Sequence, residues 1–156
     1  MKKGLKNVIF FGMIFLILDQ AVKIFINSRF VLGEAYILIN NLLSILLVHN
    51  TGAAFSILSG NQVFLIIIGI LALVALLLFV YQGDNYSDYE IFAYSLLFGG
   101  ILGNLIDRIF YGYVIDFISL TFVGYNFPIF NIADMCIVAS VILIIIKVIK
   151  GDLWRE

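Results

Sequence analysis

The chain has 156 residues, of which 63% are hydrophobic and 12% are charged, and its formal net charge is −1. Soluble domains carry about twice that share of charged residues, so this chain has too little polar surface to cover a globule in water. The composition therefore excludes a soluble enzyme, a disordered segment and a nucleic-acid-binding protein. The single Cys also excludes an internal disulfide.

Four stretches of the chain are long and apolar enough to cross a membrane as helices. About 30 Å of hydrocarbon requires about 20 helical residues at 1.5 Å each. The sequence predicts spans over residues 8–27, 63–82, 89–110 and 128–149. Pro128 suits the first turn of the fourth span, since its missing N–H costs nothing there. A helix from Pro128 would place Asp134 about 9 Å into the membrane.

The first span resembles a secretory signal in one respect, because Lys2 and Lys3 precede its apolar run. It lacks a small-residue cleavage site, and Lys23 stands where cleavage would be expected. We therefore expect a retained membrane helix.

Basic residues predict the orientation of the chain. Lys2, Lys3 and Lys6 precede the first span, and Lys150 and Arg155 follow the fourth. Four spans place both termini on one side, and basic flanking residues favour the cytoplasm. The segments that face outward would then be residues 28–62 and 111–127.

The outward segments carry their own structural signals. Residues 35–39 and 43–48 are predicted strands around the turn Asn40-Asn41, and residues 113–118 form a third predicted strand. Residues 51–59 have the length of one or two helical turns with apolar side chains. Such a helix would lie on the membrane surface.

Polar residues within the spans cluster near the predicted outer ends. A charge inside a bilayer costs about 2.5–3.5 kcal/mol on insertion scales, so each is a functional candidate. The cluster comprises Asp19 and Lys23 in span one, Gly100, Asn104, Asp107 and Arg108 along one face of span three, and Asn131 and Asp134 in span four. Asp116 lies on the loop between spans three and four.

Several of these residues also have a purely structural interpretation. Asp19 and Lys23 lie one helical turn apart and can neutralise each other. Asp107 and Arg108 can mark a helix end at the headgroups, and the glycines around Gly100 can permit close helix packing. Asp116 and Asp134 are the hardest to explain in this way, because neither has a basic partner in its own segment.

The residue types restrict the chemistry. The sequence has no His/Cys ligand set for zinc, no Gly-rich phosphate loop and no Ser or Cys beside a base. A pair of carboxyl groups with amide and guanidinium neighbours remains. Two carboxyls held close share one proton, so one can activate water while the other donates a proton. This is the chemistry of aspartic proteases.

Five motifs strengthen this interpretation. They are residues 19–23 (DQAVK), 50–56 (NTGAAFS), 99–108 (GGILGNLIDR), 114–117 (VIDF) and 130–134 (FNIAD). In order and spacing the chain resembles the lipoprotein signal peptidases, also called signal peptidase II, over nearly its whole length. Each motif alone is weak, whereas five in order are specific.

The resemblance implies an all-α polytopic membrane protein, with four transmembrane helices, a small extracytoplasmic β-cradle and a short surface helix. We expect residues 1–156 to form one membrane-embedded domain in the bacterial cytoplasmic membrane, with its active site toward the outer face. The implied activity is an aspartyl endopeptidase that cuts prolipoproteins before the diacylglyceryl-modified Cys of the lipobox. The expected partners are lipid-modified prolipoproteins and membrane lipid. We expect a monomer with no metal, cofactor or nucleic-acid partner.

The resemblance also assigns residues. It implies that Asp116 and Asp134 are the catalytic dyad, and that Asn104, Arg108 and Asn131 hold the substrate and the catalytic geometry. Further positions match family residues with supporting roles: Asp19, Lys23, Asn50, Gly52, Gly100, Asp107, Phe130 and Ala133. Ser140 stands where the family often has Gly.

A second class of function uses the same carboxylates, namely a proton- or ion-conducting membrane subunit. Conduction needs polar groups through the whole membrane. The second predicted span has no charged residue, and the polar groups of the others lie on one side. The sequence therefore favours the protease.

Overall fold

The computed structural model describes residues 2–52 and 58–153. Its elements are α1 (Lys3–Arg29), β1 (Ala35–Ile39), β2 (Leu43–Asn50), α2 (Gln62–Gln82), α3 (Asp88–Tyr111), β3 (Val114–Phe122), β4 (Tyr125–Asn126) and α4 (Ile132–Leu153). Among the described residues, four helices are long and apolar enough to cross a membrane. The predicted set of four spans beside a small antiparallel sheet is confirmed.

Helix α3 is the centre of the bundle and packs against α1, α2 and α4. It begins with a capping box in which Ser87 and Glu90 bond each other's backbone N–H, and it ends at Gly112 in the left-handed region. Close packing on both sides depends on glycine. A Cβ on Gly99 would lie 2.7 Å from Gly12 O, and a Cβ on Gly100 would lie 2.6 Å from a backbone oxygen of α4.

The four strands form an antiparallel sheet in the order β1-β2-β3-β4. The predicted strands at 35–39 and 43–48 are present, although β2 continues to Asn50. The third predicted strand, 113–118, is β3, which extends to Phe122 and turns back into a short β4 that the sequence did not predict. A hydrophobic cluster joins this sheet to the end of α1 and contains Ile26, Leu47, Ile115 and Phe117.

The predicted start of the fourth span is wrong. Helix α4 begins at Ile132, not at Pro128, because the segment before it pairs with β3. Phe130 N donates to Ile118 O at 3.1 Å, and Ile118 N donates to Phe130 O at 2.8 Å. Asp134 therefore lies in the first turn of α4, and the depth that was counted from Pro128 does not apply.

The predicted surface helix at 51–59 lies largely outside the described residues, which omit 53–57. The two ends of this segment are held together. Gly60 N donates to Thr51 O at 3.2 Å, and the hydroxyl oxygens of Thr51 and Ser59 are 2.7 Å apart. The two ends of the segment therefore lie next to each other.

Candidate active site

Asp116 faces a groove because of strand alternation and a bulge. On β3, Ile115 and Phe117 pack into the hydrophobic cluster beneath the sheet, so Val114 and Asp116 face the opposite side and line the groove. The pairing of β2 with β3 shifts register between Ile45 and Val48, and Val48 then stands opposite Asp116. Such a bulge redirects the neighbouring side chains.

Asp134 is held by the start of α4. Asn131 Oδ1 accepts from Asp134 N at 2.9 Å, and Asn131 N donates to Asp134 Oδ2 at 3.2 Å. This reciprocal pair is the capping-box arrangement, with Asn131 as the N-cap and Asp134 three residues later. A negative charge in the first turn is also stabilised by the helix dipole.

Asparagine amides surround both carboxyl groups. Asn131 Nδ2 donates to Asp116 Oδ1 at 2.6 Å, and Asn50 Nδ2 donates to Asp116 Oδ2 at 2.8 Å. Asn104 Nδ2 donates to Asp134 Oδ1 at 2.7 Å. Together with the backbone bond from Asn131, each of the four carboxylate oxygens accepts a hydrogen bond. The orientation of both carboxyls is thereby fixed.

Burial, together with the nearby charge of Asp134, raises the pKa of Asp116 to about 7. The hydrogen bonds from Asn50 and Asn131 favour the ionised carboxylate and limit the rise in pKa. Asp116 is only 2% exposed, whereas Asp134 is partly exposed at the groove. The two carboxyls therefore differ in their environments.

The groove beside these carboxyls has a volume of about 1050 Å³. Its lining includes the apolar residues Met135, Val138, Ala139 and Ile142 of α4, together with residues 125–130. The polar groups converge at one end of the groove, where Asp116, Asp134, Asn104 and Arg108 contribute. A long apolar site with a few polar groups at one end suits an amphipathic ligand.

Arg108 joins α3 to the segment that follows β2. Its Nη2 donates to Gly52 O at 3.1 Å and its Nη1 donates to Asn104 O at 3.3 Å. Gly52 N in turn donates to Asn50 Oδ1 at 2.8 Å. Within the described residues Arg108 Nε has no hydrogen-bond partner, although it is buried. This donor borders the groove.

A buried ionic network around Lys23 supports the site. Lys23 Nζ lies 2.9 Å from Asp19 Oδ2 and 2.9 Å from Asp107 Oδ2. Lys23 also donates to Asn104 Oδ1 at 3.1 Å, and Asn131 Nδ2 donates to the same oxygen. Two donors on Oδ1 turn the amide nitrogen of Asn104 toward Asp134.

The carboxylates of the network also bind backbone near the two groove aspartates. Asp19 Oδ1 accepts from Ala133 N at 2.8 Å, one residue before Asp134. Asp107 Oδ2 accepts from Ile115 N at 3.1 Å, one residue before Asp116. The network therefore links α1 and α3 to both chain segments that present the carboxyls.

The structure brings together all of the predicted site residues that carry polar side chains. Gly100 contributes by its small size, since the backbone of Ala133 packs against it. Asp107 is not a marker of the headgroup region, because it is fully buried beside Lys23. Sequence reasoning gave no role to Gln20, whose Nε2 donates to Asp107 Oδ1 at 2.9 Å and to Gly103 O at 3.2 Å. An amide inside an apolar span was the available signal.

No group of three or more His, Cys, Asp or Glu residues in 2–52 and 58–153 is arranged to hold a metal ion. Ser140, at the position where Gly was expected, donates to Ala93 O at 2.7 Å and is buried between α3 and α4. The hydroxyl therefore fits this helix contact.

Comparison with known proteins identifies the family. The family model described as signal peptidase (SPase) II matches residues 11–150. The chain belongs to the lipoprotein signal peptidase family. It is 46% identical over 134 residues to the lipoprotein signal peptidase of Staphylococcus aureus strain JH9, covering 86% of this chain and 82% of that one.

Two solved structures, each described as a bacterial membrane enzyme determined by the in meso method, share the fold. One, at 2.3 Å resolution, has a TM-score of 0.89 and 40% identity, and covers 97% of this chain and 92% of its own. The other, at 1.9 Å, has a TM-score of 0.83 and 42% identity, with 93% and 94% covered.

The chain is thus a membrane protein and an aspartic peptidase that removes signal peptides from prolipoproteins. The comparisons give no support to an ion-conducting subunit. The polar residues of the spans therefore belong to an enzyme.

Proposed function

We propose that Asp116 and Asp134 are the catalytic dyad with which this enzyme cuts prolipoproteins before the diacylglyceryl-modified Cys of the lipobox. The observation that carries the proposal is the convergence of the two carboxyls at the polar end of one apolar groove. The hydrogen bonds on all four carboxylate oxygens support it, since they fix both groups before substrate binds.

In the proposed reaction the dyad shares one proton. Asp116 carries it at rest, in keeping with its pKa of about 7. Asp134 takes a proton from water, which attacks the scissile carbonyl, while Asp116 protonates the carbonyl oxygen. The resulting gem-diol intermediate collapses when one of its hydroxyls returns a proton to Asp116 and the amine leaves with the proton held by Asp134. No step needs a metal ion.

The supporting residues divide into two groups by their contacts. Asn50, Asn104 and Asn131 hold the carboxyls directly. Arg108 lines the groove and binds Gly52 O, and a peptide entering the site needs donors and acceptors for its own backbone. The remaining residues, Asp19, Lys23, Asp107 and Gly100, act through packing and the buried ionic network.

We infer the side of the membrane on which the site lies from the basic residues. With Lys2, Lys3 and Lys6 before α1 and Lys150 and Arg155 near the other end, we expect both termini in the cytoplasm. The sheet and the groove then face the outer side of the bacterial cytoplasmic membrane. Both carboxyls of the proposed dyad and the asparagines that hold them belong to the same chain, so we expect the monomer to be active.

Purified enzyme with a lipidated prolipoprotein tests the dyad. Asp116→Asn and Asp134→Asn should each lower the rate of cleavage by several orders of magnitude, because an amide cannot transfer the proton. Asp84→Asn, on the exposed loop between α2 and α3, is the matched control and should retain activity. Substantial cleavage by either dyad variant, or loss of activity with a chelator, would refute the assignment.

Reporter fusions test the orientation separately. A reporter joined after Asp84 should be cytoplasmic, and one joined after Gly33 should be external. The opposite pattern would place the groove on the wrong side of the membrane. The unlipidated prolipoprotein, compared with the lipidated one, tests whether the groove requires the diacylglyceryl group.

A further inference from the structure

A series of amide groups connects the start of α2 to Asp116. Gln62, the first residue of α2, donates from Nε2 to Thr51 O. Gly52 N donates to Asn50 Oδ1 at 2.8 Å, and Asn50 Nδ2 donates to Asp116 Oδ2 at 2.8 Å. We call this series the amide chain. Its members are the side chain of Gln62, the peptide group between Thr51 and Gly52, and the side chain of Asn50.

The planarity of amide groups transmits orientation along the amide chain. Thr51 O and Gly52 N belong to one peptide unit, which turns as a rigid plane. Gln62 binds the oxygen of this plane and Asn50 binds its N–H, so a rotation of the plane disturbs both bonds. The carboxamide of Asn50 is also planar, with its oxygen on Gly52 and its nitrogen on Asp116. The direction of the donor to Asp116 therefore depends on the bond that Gln62 makes.

The hydrogen bonds of the amide chain all run in the same direction. Each amide accepts from the side of Gln62 and donates toward Asp116. Hydrogen bonds in such a series polarise one another, which strengthens each by about 10–30%. Asp116 is buried, and hydrogen bonds are electrostatically stronger in the protein interior than in water. Gln62 thus affects the strength of the last bond as well as its direction.

Two further contacts hold the same turn but differ in their relation to the amide chain. Gly60 N donates to Thr51 O at 3.2 Å, so this oxygen keeps one donor when the Gln62 amide is removed. Ser59 binds the hydroxyl of Thr51, with the two oxygens 2.7 Å apart, and this hydroxyl is not part of the amide chain. Loss of the Ser59 hydroxyl therefore loosens the turn without interrupting the series.

We propose that Gln62 is a positioning residue for Asp116, which it orients through the Thr51–Gly52 peptide and Asn50. The proposal rests on the assignment of Asp116 to the proposed dyad. The next carbonyl along the chain, Gly52 O, accepts from Arg108 Nη2 at 3.1 Å. The start of α2 is thereby connected to a carboxyl of the dyad and to the guanidinium that lines the groove.

Gln62→Met tests the proposal, because it keeps a side chain of similar length and removes the donor. We expect kcat with lipidated prolipoprotein to fall by about 10-fold, less than for loss of a direct donor, because Gly60 N still binds Thr51 O. Weaker donation from Asn50 disfavours the ionised carboxylate and raises the pKa of Asp116. The alkaline limb of kcat/KM should therefore move to higher pH by about 0.3 units or more.

The charged groups near Asp116 stay in place in this variant. They are Asp134 of α4, Lys23 of α1 and Arg108 of α3. A shift of the limb is therefore caused by the amide chain and not by a change in neighbouring charge.

Two control variants should leave both kcat and the limb unchanged. Ser59→Ala loosens the turn at Thr51 and leaves the amide chain intact. Gln82→Met makes the same substitution at the exposed last residue of α2. Melting temperatures measured in parallel show whether each variant folds. Gln62→Ala, which also lacks the donor, is the alternative should Gln62→Met not fold.

A double-mutant cycle tests whether Gln62 acts through Asn50. In an Asn50→Ala background the amide chain is already interrupted, so Gln62→Met should cause no further shift of the limb and little further loss of kcat. Equal effects of Gln62→Met with and without Asn50 would overturn the proposal. A limb that Gln62→Met does not move would also overturn it, and a lower melting temperature in that case would limit Gln62 to a structural role. Retained activity in Asp116→Asn would instead refute the dyad, so the two failures are distinguishable.

Discussion

Asn131 and Asp134 bind each other through two reciprocal hydrogen bonds, and these bonds start α4. The remaining amide hydrogens of Asn131 go to Asp116 Oδ1 and to Asn104 Oδ1. The residue that begins the helix therefore also sets the positions of both carboxyls in the proposed dyad. Helix stability and catalytic geometry depend on one side chain, but on different atoms of it.

This division of atoms allows the two roles of Asn131 to be separated. Asn131→Ala removes the cap and should cost about 1 kcal/mol of stability. Asn131→Ser retains a capping oxygen but loses the Nδ2 donor, so it should recover the part of the melting temperature that the cap contributes without restoring kcat. Loss of a fixed donor to a catalytic group typically lowers kcat by roughly 10²–10³-fold. Recovery of both properties in the Ser variant would limit Asn131 to capping.

The pH dependence of activity should report the proton on Asp116. With its pKa raised to about 7, kcat/KM should fall as the pH rises above that value, because the proposed proton donor ionises. The hydrogen bond from Asn50 favours the ionised form, so Asn50→Ala should raise the pKa and move the alkaline limb to higher pH. His49→Ala, at the neighbouring position of β2, should leave the limb in place.

The same raised pKa has a consequence for stability. The folded state keeps the Asp116 proton up to about pH 7, whereas the unfolded carboxyl loses it near pH 4. Stability contributed by this group should therefore decline from about pH 4 to pH 7 and stay level above. Asp116→Asn should remove that decline in thermal unfolding profiles, and an unchanged decline would show that another group causes it.

Lys23 should be essential for folding because it is fully buried between two carboxylates. Lys23→Met leaves both charges without their cation, and breaking a buried ion pair in this way costs about 3–5 kcal/mol. Adding Asp19→Asn and Asp107→Asn to Lys23→Met should recover part of the loss, since amides are less costly to bury. Thermal unfolding in nanodiscs measures both effects.

Lys2→Met is the matched control for Lys23. Lys2 forms an exposed ion pair with Asp84, and such pairs contribute little. An equal loss of stability in both Lys variants would contradict the proposed role of the buried network.

The sequence predicted most of the fold because its signals are local. Apolar runs predict the four spans, and the turn residues around Asn41 bound the first two strands. The start of α4 was missed because it depends on pairing between Phe130 and Ile118, which are distant in the sequence. Pro128 fits an extended segment as well as a first helical turn, so it could not decide between them.

The sequence predicted that the polar residues share one depth in the membrane, but it did not predict how they bind one another. Asp19 and Lys23 are one turn apart, which indicates a pair. The third member, Asp107, comes from another helix and resembled a residue at a helix end. Its burial depends on how α1 packs against α3, and no pattern within either helix contains that information.

At Arg108 the effect of side-chain geometry can be separated from the effect of charge. Its two terminal nitrogens bind different carbonyls, Gly52 O at 3.1 Å and Asn104 O at 3.3 Å, and thereby join α3 to the segment after β2. A lysine keeps the positive charge but lacks the planar fork, so it cannot make both bonds in this geometry. Arg108→Lys should therefore lower kcat/KM by 10-fold or more with lipidated prolipoprotein, without moving the alkaline limb of the pH profile. Arg29→Lys, at the exposed end of α1, is the matched control for loss of a guanidinium and should retain activity. Full activity of Arg108→Lys would mean that charge alone is needed at this position, and a shifted limb would mean that Arg108 acts through the protonation of the dyad.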